Sequence, residues 1–160
     1  SKDIPLTRGL VAIVDDEEYP RLAKHKWCAY PLGHGGHLYG GRKSNGSTVL
    51  MHREVMRARR GTEIDHINGD RLDNRQSNLR FATGTQNQAN ARLRSDSTSG
   101  FKGVTWNRRI GHWLAQLKID GRGMYLGSFA DPHEAARAYD EAAVKHFGEF
   151  ARTNQMLGLL

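Results

Sequence analysis

Glu63-Ile64-Asp65-His66-Ile67-Asn68-Gly69-Asp70 is the stretch on which the fold of the first half of the chain turns. Glu63 to Ile67 reads as a short strand, and Asn68-Gly69 breaks it, because both residues tolerate positive φ. A polar loop, Asp70 to Asn78, follows. Leu79-Arg80-Phe81-Ala82 then reads as a second strand. Thr83 or Thr85 is placed to cap a helix running to about Arg94.

Upstream of this stretch the signals are weaker. Leu10 to Val14 is apolar and β-branched and reads as a strand. Asp15 and Asp16 offer an N-cap for a helix from Glu17 to about Lys24. Lys26 to Tyr30 reads as a strand, and Pro31 to Gly41, with five glycines, as a loop. Thr48 to Met51 is strand-like, and His52 to about Arg60 is expected to be a basic helix stopped by Gly61.

The residues of 63–87 suit phosphodiester hydrolysis. That reaction needs a base for the attacking water, a cation for the developing charge, and a phosphate held in line. Asp65 supplies a carboxylate and His66 an imidazole, whose ordinary pKa of about 6.5 suits a base near neutrality. Asn78 lies twelve residues after His66, and Asn87 nine further on. Strand, loop, strand and helix would bring Asp65 and Asn87 to one ion. Neighbours on a regular strand point to opposite faces, so Asp65 and His66 share a site only if the strand is irregular or twisted there. Taken alone, the Asp-His pair reads as a surface hydrogen bond. Asn68, Asp73 and Asn74 read as turn residues, and His52 as a buried hydrogen-bonding residue or a phosphate contact. His25, His34, His37, His133 and His146 have no partner at ligand spacing and receive no role.

The ordered set carries more weight than any member. Met51-His52-Arg53, Ile64-Asp65-His66-Ile67-Asn68-Gly69, Leu72-Asp73-Asn74-Arg75, Ser77-Asn78-Leu79-Arg80, Ala82-Thr83 and Gln86-Asn87 closely resemble HNH endonucleases of the homing type, often encoded by phages and mobile introns. The resemblance runs from about Leu6 to Arg94 and implies a ββα-metal core at about 62–94. It implies Asp65 and Asn87 as metal ligands, His66 as general base, and Asn78 as a brace bonded to backbone. Asn87 stands where many relatives carry histidine. Its amide oxygen favours magnesium or manganese over zinc. Of the surrounding arginines, Arg53, Arg75 and Arg80 are expected on phosphates, since the planar guanidinium donates in pairs.

After the small polar segment 95–99, taken as a linker, the pattern changes. Three strand-like runs follow: Phe101 to Asn107, His112 to Asp120 and Gly123 to Phe129, with Asp120-Gly121 as a tight turn. Asp131-Pro132 opens a helix with an alanine-rich face, ended by Gly148. This predicts a three-stranded antiparallel sheet packed on one helix. Ser99 to Val104, Trp113 to Leu117, Tyr125 to Phe129 and Glu134 to Asp140 resemble the DNA-binding domain of plant ethylene-response factors, the APETALA type, from about Gly100 to Asn154, with the domain taken as 100–160. In that family the sheet enters the major groove. By alternation, Trp113, Ala115 and Leu117 face the helix, while Gln116 and Lys118 face DNA. The family pattern adds Lys102, Thr105, Asn107 and Tyr125, and Arg108 and Arg109 in the first hairpin reach phosphates. Thr105 and Asn107 replace arginines of the plant pattern, so the plant target does not carry over. The alternative is a packing module with a solvated face.

Composition fits this α+β reading. The chain has 160 residues, 38% hydrophobic, with a mean hydropathy of −0.68, which suits two small cores joined by a linker. The net charge is +7. Residues 42–94 hold eleven basic and five acidic groups, and 95–125 five and two. Such a localised field suits a polyanion. Cys28, the sole cysteine, allows no intrachain disulfide and no thiolate zinc cluster and suggests a reducing compartment. No apolar run approaches eighteen residues, and the first five residues form no signal core. The reading is therefore a sequence-specific, magnesium- or manganese-dependent endonuclease acting on double-stranded DNA. It would act as a monomer, or alternatively a dimer, in the cytoplasm of a bacterial or phage-infected cell, with no membrane and no small-molecule substrate. The rivals are a non-cleaving DNA-binding regulator on a nuclease-derived fold and an RNA-binding module.

Overall fold

The computed structural model describes residues 1–32 and 36–160; His34 lies outside them. The chain divides into two compact units, Ser1–Ala82 and Thr83–Leu160.

The first unit opens with a hairpin. Strand β1 (Lys2–Pro5) pairs antiparallel with β2 (Val11–Val14). The sequence reading contains no β1, since four residues ending in proline carry little strand signal. A short helix, α1 (Tyr19–Leu22), follows in place of the helix expected over 17–24. Asp15 does not cap it with its side chain. Its main-chain oxygen accepts from Glu18 and Tyr19, while its carboxylate accepts from Gln76 N at 2.7 Å.

The glycine-rich stretch expected to be a loop is largely strand. β3 (Cys28–Leu32), β4 (His37–Ser44) and β5 (Ser47–Leu50) form an antiparallel sheet in chain order. The glycines of β4 serve close packing rather than bending. A Cβ on Gly41 would lie 2.7 Å from Tyr30 Cβ, and one on Gly40 would lie 3.2 Å from Met51. Asn45 and Gly46, at φ 48° and 78°, make the tight turn from β4 to β5.

Helix α2 (Met51–Val55) is shorter than the 52–60 expected. Arg57 takes φ 48°, and Arg53 donates to the carbonyls of Arg59 and Thr62 at 2.6 and 2.5 Å. Those bonds hold the following segment out of helix. β6 (Glu63–His66) and β7 (Leu79–Ala82) form an antiparallel ribbon. Met51, Val55, Ile64 and Leu79 join Ile4, Val14, Leu22 and Trp27 in one core.

The second unit begins with helix α3 (Gly84–Ala89). Thr83 caps it in a full capping box with Gln86. It ends well before Arg94, and it packs on the second unit, so the compact boundary falls ahead of the segment read as linker. β8 (Val104–Asn107), β9 (His112–Ile119) and β10 (Arg122–Phe129) follow, ordered β10-β9-β8. Residues 101–103 do not extend β8, because Gly103 takes φ 75° against the Tyr139 ring. Asp120 and Gly121, at φ 48° and 78°, form the turn between β9 and β10. Helix α4 (Pro132–Phe147) is capped by Asp131, which accepts from His133 N at 2.9 Å, and lays Ala135, Ala136, Tyr139 and Ala143 on the sheet.

Candidate active site and nucleic-acid face

The β6–β7 ribbon pairs in regular register, with Asp65 opposite Arg80 and His66 opposite Leu79. Side chains alternate along a strand, so Asp65 shares a face with Arg80 while His66 leaves the other. The irregularity required for a shared site is therefore absent from the pairing itself. What remains is the strong twist of a two-stranded ribbon and the end of the strand at His66. Asp65 and His66 are 4% and 5% exposed.

The loop between the strands is locked from within. Asn78 donates from Nδ2 to Asp73 O at 2.8 Å and accepts at Oδ1 from Asn68 N at 3.0 Å. Its own carbonyl accepts from Ile67 N at 2.9 Å. At Asn68-Gly69 only Gly69 takes positive φ, 73°. Asn68 instead bonds sideways, accepting from Asp70 N and donating to the Asp73 carboxylate. Asp73 is ion-paired to Arg75 at 2.6 Å, which holds its carboxyl below the usual range. Ile13 of β2 fixes the loop from outside, through Ile13 N to Leu72 O at 2.8 Å and Asn74 N to Ile13 O at 2.7 Å. So residues read as simple turn formers build the support of the site.

His66 lies in an aromatic pocket. Its ring centroid is 5.2 Å from His52 and 6.1 Å from Tyr39. Burial lowers its basicity from the ordinary histidine value; a hydrogen bond with Asn74 and the charges of Asp65 and Asp70 oppose that shift, and Arg71 adds to it. His52 is pushed down to about 3, first by burial, then by His66 and Arg53. Arg71 donates to Tyr39 Oη at 2.8 Å and lies over the same ring. Tyr39 was not among the expected site residues, and Arg71 was only one of the arginines expected to surround the segment. Tyr39 falls in the stretch read as loop, where glycines mask the strand alternation.

Arg53, Arg75 and Arg80, expected on phosphates, are each engaged within the protein. Arg53 bonds two carbonyls, Arg75 grips Asp73, and Arg80 pairs with Asp65 at 2.8 Å. Arg57, Arg59 and Arg60, just ahead of β6, are exposed.

Among the described residues no three His, Cys, Asp or Glu side chains are grouped to hold a metal. The Asp65 carboxylate is a hard oxygen donor of the kind that suits an ion keeping most of its water. Asn87 lies on α3, half-buried, in the second compact unit.

On the sheet of that unit, Thr105 stands opposite Leu114, Gln116 opposite Tyr125, and Lys118 opposite Gly123. Thr105, Gln116, Lys118 and Tyr125 are exposed, and Val104, Ala115 and Leu117 are buried against α4. Leu114 and Ser128 belong to the outer face by register and escaped the sequence reading. Asn107 turns its side chain to the hairpin, accepting from Arg109 N at 3.0 Å, while Arg108 and Arg109 are exposed. Lys102 departs from expectation. Its ammonium donates to the carbonyls of Ala89 and Arg152 and lies over the Tyr139 ring. Burial, aided by Arg152, lowers it to about 8. It is a structural pin rather than part of the outer face.

Residues 50–89 match the HNH endonuclease family model, and residues 99–149 match that of the AP2 domain. The two matches stand in that order along the chain. The chain is similar to the uncharacterized HNH endonuclease L560 of Acanthamoeba polyphaga mimivirus, 26% identical over 155 residues, covering 93% of this chain and 77% of the relative. Its second half is similar to the AP2-like ethylene-responsive transcription factor TOE2 of Arabidopsis thaliana, 46% identical over 61 residues, or 38% of this chain. It is also similar to APETALA2-like protein 2 of Oryza sativa subsp. japonica, 46% identical over 57 residues, or 36% of this chain. The chain spans only 13% of the length of each of these two plant relatives. No solved structure matches. No helix among the described residues is long and apolar enough to cross a membrane.

Proposed function

We propose that this chain is a metal-dependent, sequence-specific DNA endonuclease of the homing type, from a phage or mobile element, acting on double-stranded DNA in the cytoplasm. The observation that carries the reading is the buried Asp65–His66 pair, set on a ribbon whose loop Asn78 locks, inside the segment that matches HNH endonucleases. His66 serves as general base. Burial keeps its imidazole neutral and so able to take a proton from water. Asp65 and Asn87 hold a magnesium or manganese ion, and Asn78 acts only by holding the loop. When bound, the ion supplies charge stabilisation at the phosphate and leaving oxygen.

The nuclease domain is taken as 1–94, joined through 95–99 to a reader at 100–160. In the reader, Thr105, Gln116, Lys118 and Tyr125 face bases, with Arg108 and Arg109 on phosphates. Arg57, Arg59 and Arg60 join the phosphate contacts in the first domain by virtue of their exposure. Tethering two modules raises the effective concentration of the second contact. One site serves one phosphodiester, so a monomer cutting one strand is the default, leaving a 3′-hydroxyl and a 5′-phosphate.

The second reading is a non-cleaving DNA-binding regulator. The Arg80–Asp65 ion pair favours it, because it places a cation where a metal would compete. Plasmid and RNA cleavage with magnesium, against a chelator control, separates the readings. Wild type is expected to cut DNA only with the metal, and His66→Ala to bind DNA without cutting it. Full cleavage by His66→Ala at native pH would remove the base assignment.

A further inference from the structure

His52 sits at the start of α2, 6% exposed. Its ring meets that of His66 at 5.2 Å and 74°, and that of Tyr39 at 5.4 Å. Its Nδ1 is buried and has no hydrogen-bond partner among the described residues. Leaving a buried polar atom unpaired costs roughly 1–3 kcal/mol, and native proteins keep few such atoms. A phenylalanine would fill much the same volume without that cost. The fold alone therefore gives no reason for an imidazole here, and the ring it touches is that of the proposed base.

We propose that His52 is a positioning residue for His66, its ring fixing the plane of the His66 imidazole and so the alignment of the hydrogen bond with Asn74 that sets its tautomer toward the attacking water. The inference rests on the nuclease reading above. A catalytic base is commonly oriented by a third group, and here the support continues outward. Tyr39 flanks both histidines, and Arg71 anchors Tyr39 through its hydroxyl at 2.8 Å. Burial also keeps His52 uncharged. It can therefore stand against His66 without like-charge repulsion when that ring takes up a proton.

The test uses the full chain carrying His52→Phe or His52→Asn, whose amide lies near the place of the imidazole Nδ1. Four quantities are compared with wild type: melting temperature, DNA Kd, single-turnover cleavage with magnesium, and the imidazole 15N spectrum of His66 without metal. His52→Phe is expected to melt at or above wild type and to bind DNA equally. Its cleavage is expected to fall about 10- to 100-fold, the scale of a misplaced catalytic group. His52→Asn is expected to recover part of that rate. The His66 spectrum is expected to show one tautomer in wild type and a mixture in His52→Phe. Wild-type cleavage by His52→Phe would overturn the proposal, as would a rate loss no greater than the loss of melting temperature or binding. If wild type itself does not cleave, the nuclease reading fails. The His66 spectrum then decides alone: a change in tautomer supports positioning, and an unchanged spectrum overturns it.

Discussion

Arg80 neutralises Asp65 inside the first unit, at 2.8 Å and with both side chains largely shielded from water. Removing one partner of a buried pair leaves an uncompensated charge, which costs about 3–5 kcal/mol. Arg80→Met is therefore expected to lower the melting temperature sharply in a chelator. If Asp65 binds the ion, magnesium should restore more stability to Arg80→Met than it adds to wild type, because the cation replaces the lost guanidinium. Thermal melts of both proteins with and without magnesium measure this, and equal magnesium effects would count against Asp65 as a ligand. The pH dependence of cleavage belongs to the same scale. Burial favours neutral His66, so protonation is delayed to a pH below the ordinary histidine range. A bound cation moves it the same way. Single-turnover cleavage should stay level as pH falls through 6.5, the ordinary value, and decline only below it. An acid limb centred above that value would show that another group titrates.

At the scale of elements, the glycines show why part of the fold was hard to read. Asp120-Gly121 lies between two alternating runs, so its turn was legible from local chemistry. Gly40 and Gly41 looked like loop residues, yet they let β4 approach Met51 and Tyr30, a long-range fact that no local window contains. The same masking hid Tyr39, which lies one residue before them. Asp65, His66, Asn78 and Asn87 stood out only as an ordered set, through the resemblance to HNH endonucleases; the fold buries the first three on the β6–β7 ribbon and its loop and leaves Asn87 on α3. Lys102 was misplaced because the family pattern gives a position, whereas its direction is set by Gly103 and Tyr139. Gly103 also offers a direct test. A Cβ there would lie 2.0 Å from the Tyr139 ring at φ 75°. Overpacking of this kind costs about 1–3 kcal/mol, and the left-handed backbone adds roughly 1 kcal/mol. Gly103→Ala is expected to destabilise the second unit by at least the larger of these, read by denaturant unfolding. An unchanged midpoint would mean that the contact between Gly103 and Tyr139 of α4 is looser than the packing implies.

For the whole molecule, the charge pattern and the two kinds of cation decide how binding responds to salt. The basic excess lies in 42–125, but Arg53, Arg75, Arg80 and Lys102 spend their charge on protein groups. The polyanion-facing charge is thus smaller than composition suggests, and exposed arginines such as Arg108 and Arg109 carry more of it. Each phosphate contact releases counterions, steepening the dependence of log K on log salt by about 0.9. Arg108→Ala with Arg109→Ala should weaken binding to all DNA alike and reduce the slope by roughly 2. Gln116→Ala acts differently, since an uncharged base contact releases no counterion. It should leave the slope in place and narrow the gap between preferred and random DNA by about 1–3 kcal/mol. Titrations of target and random duplexes at several salt concentrations separate the two effects. If Gln116→Ala lowered the slope, or the double arginine variant left it unchanged, the outer sheet face would not divide its work between bases and phosphates in this way.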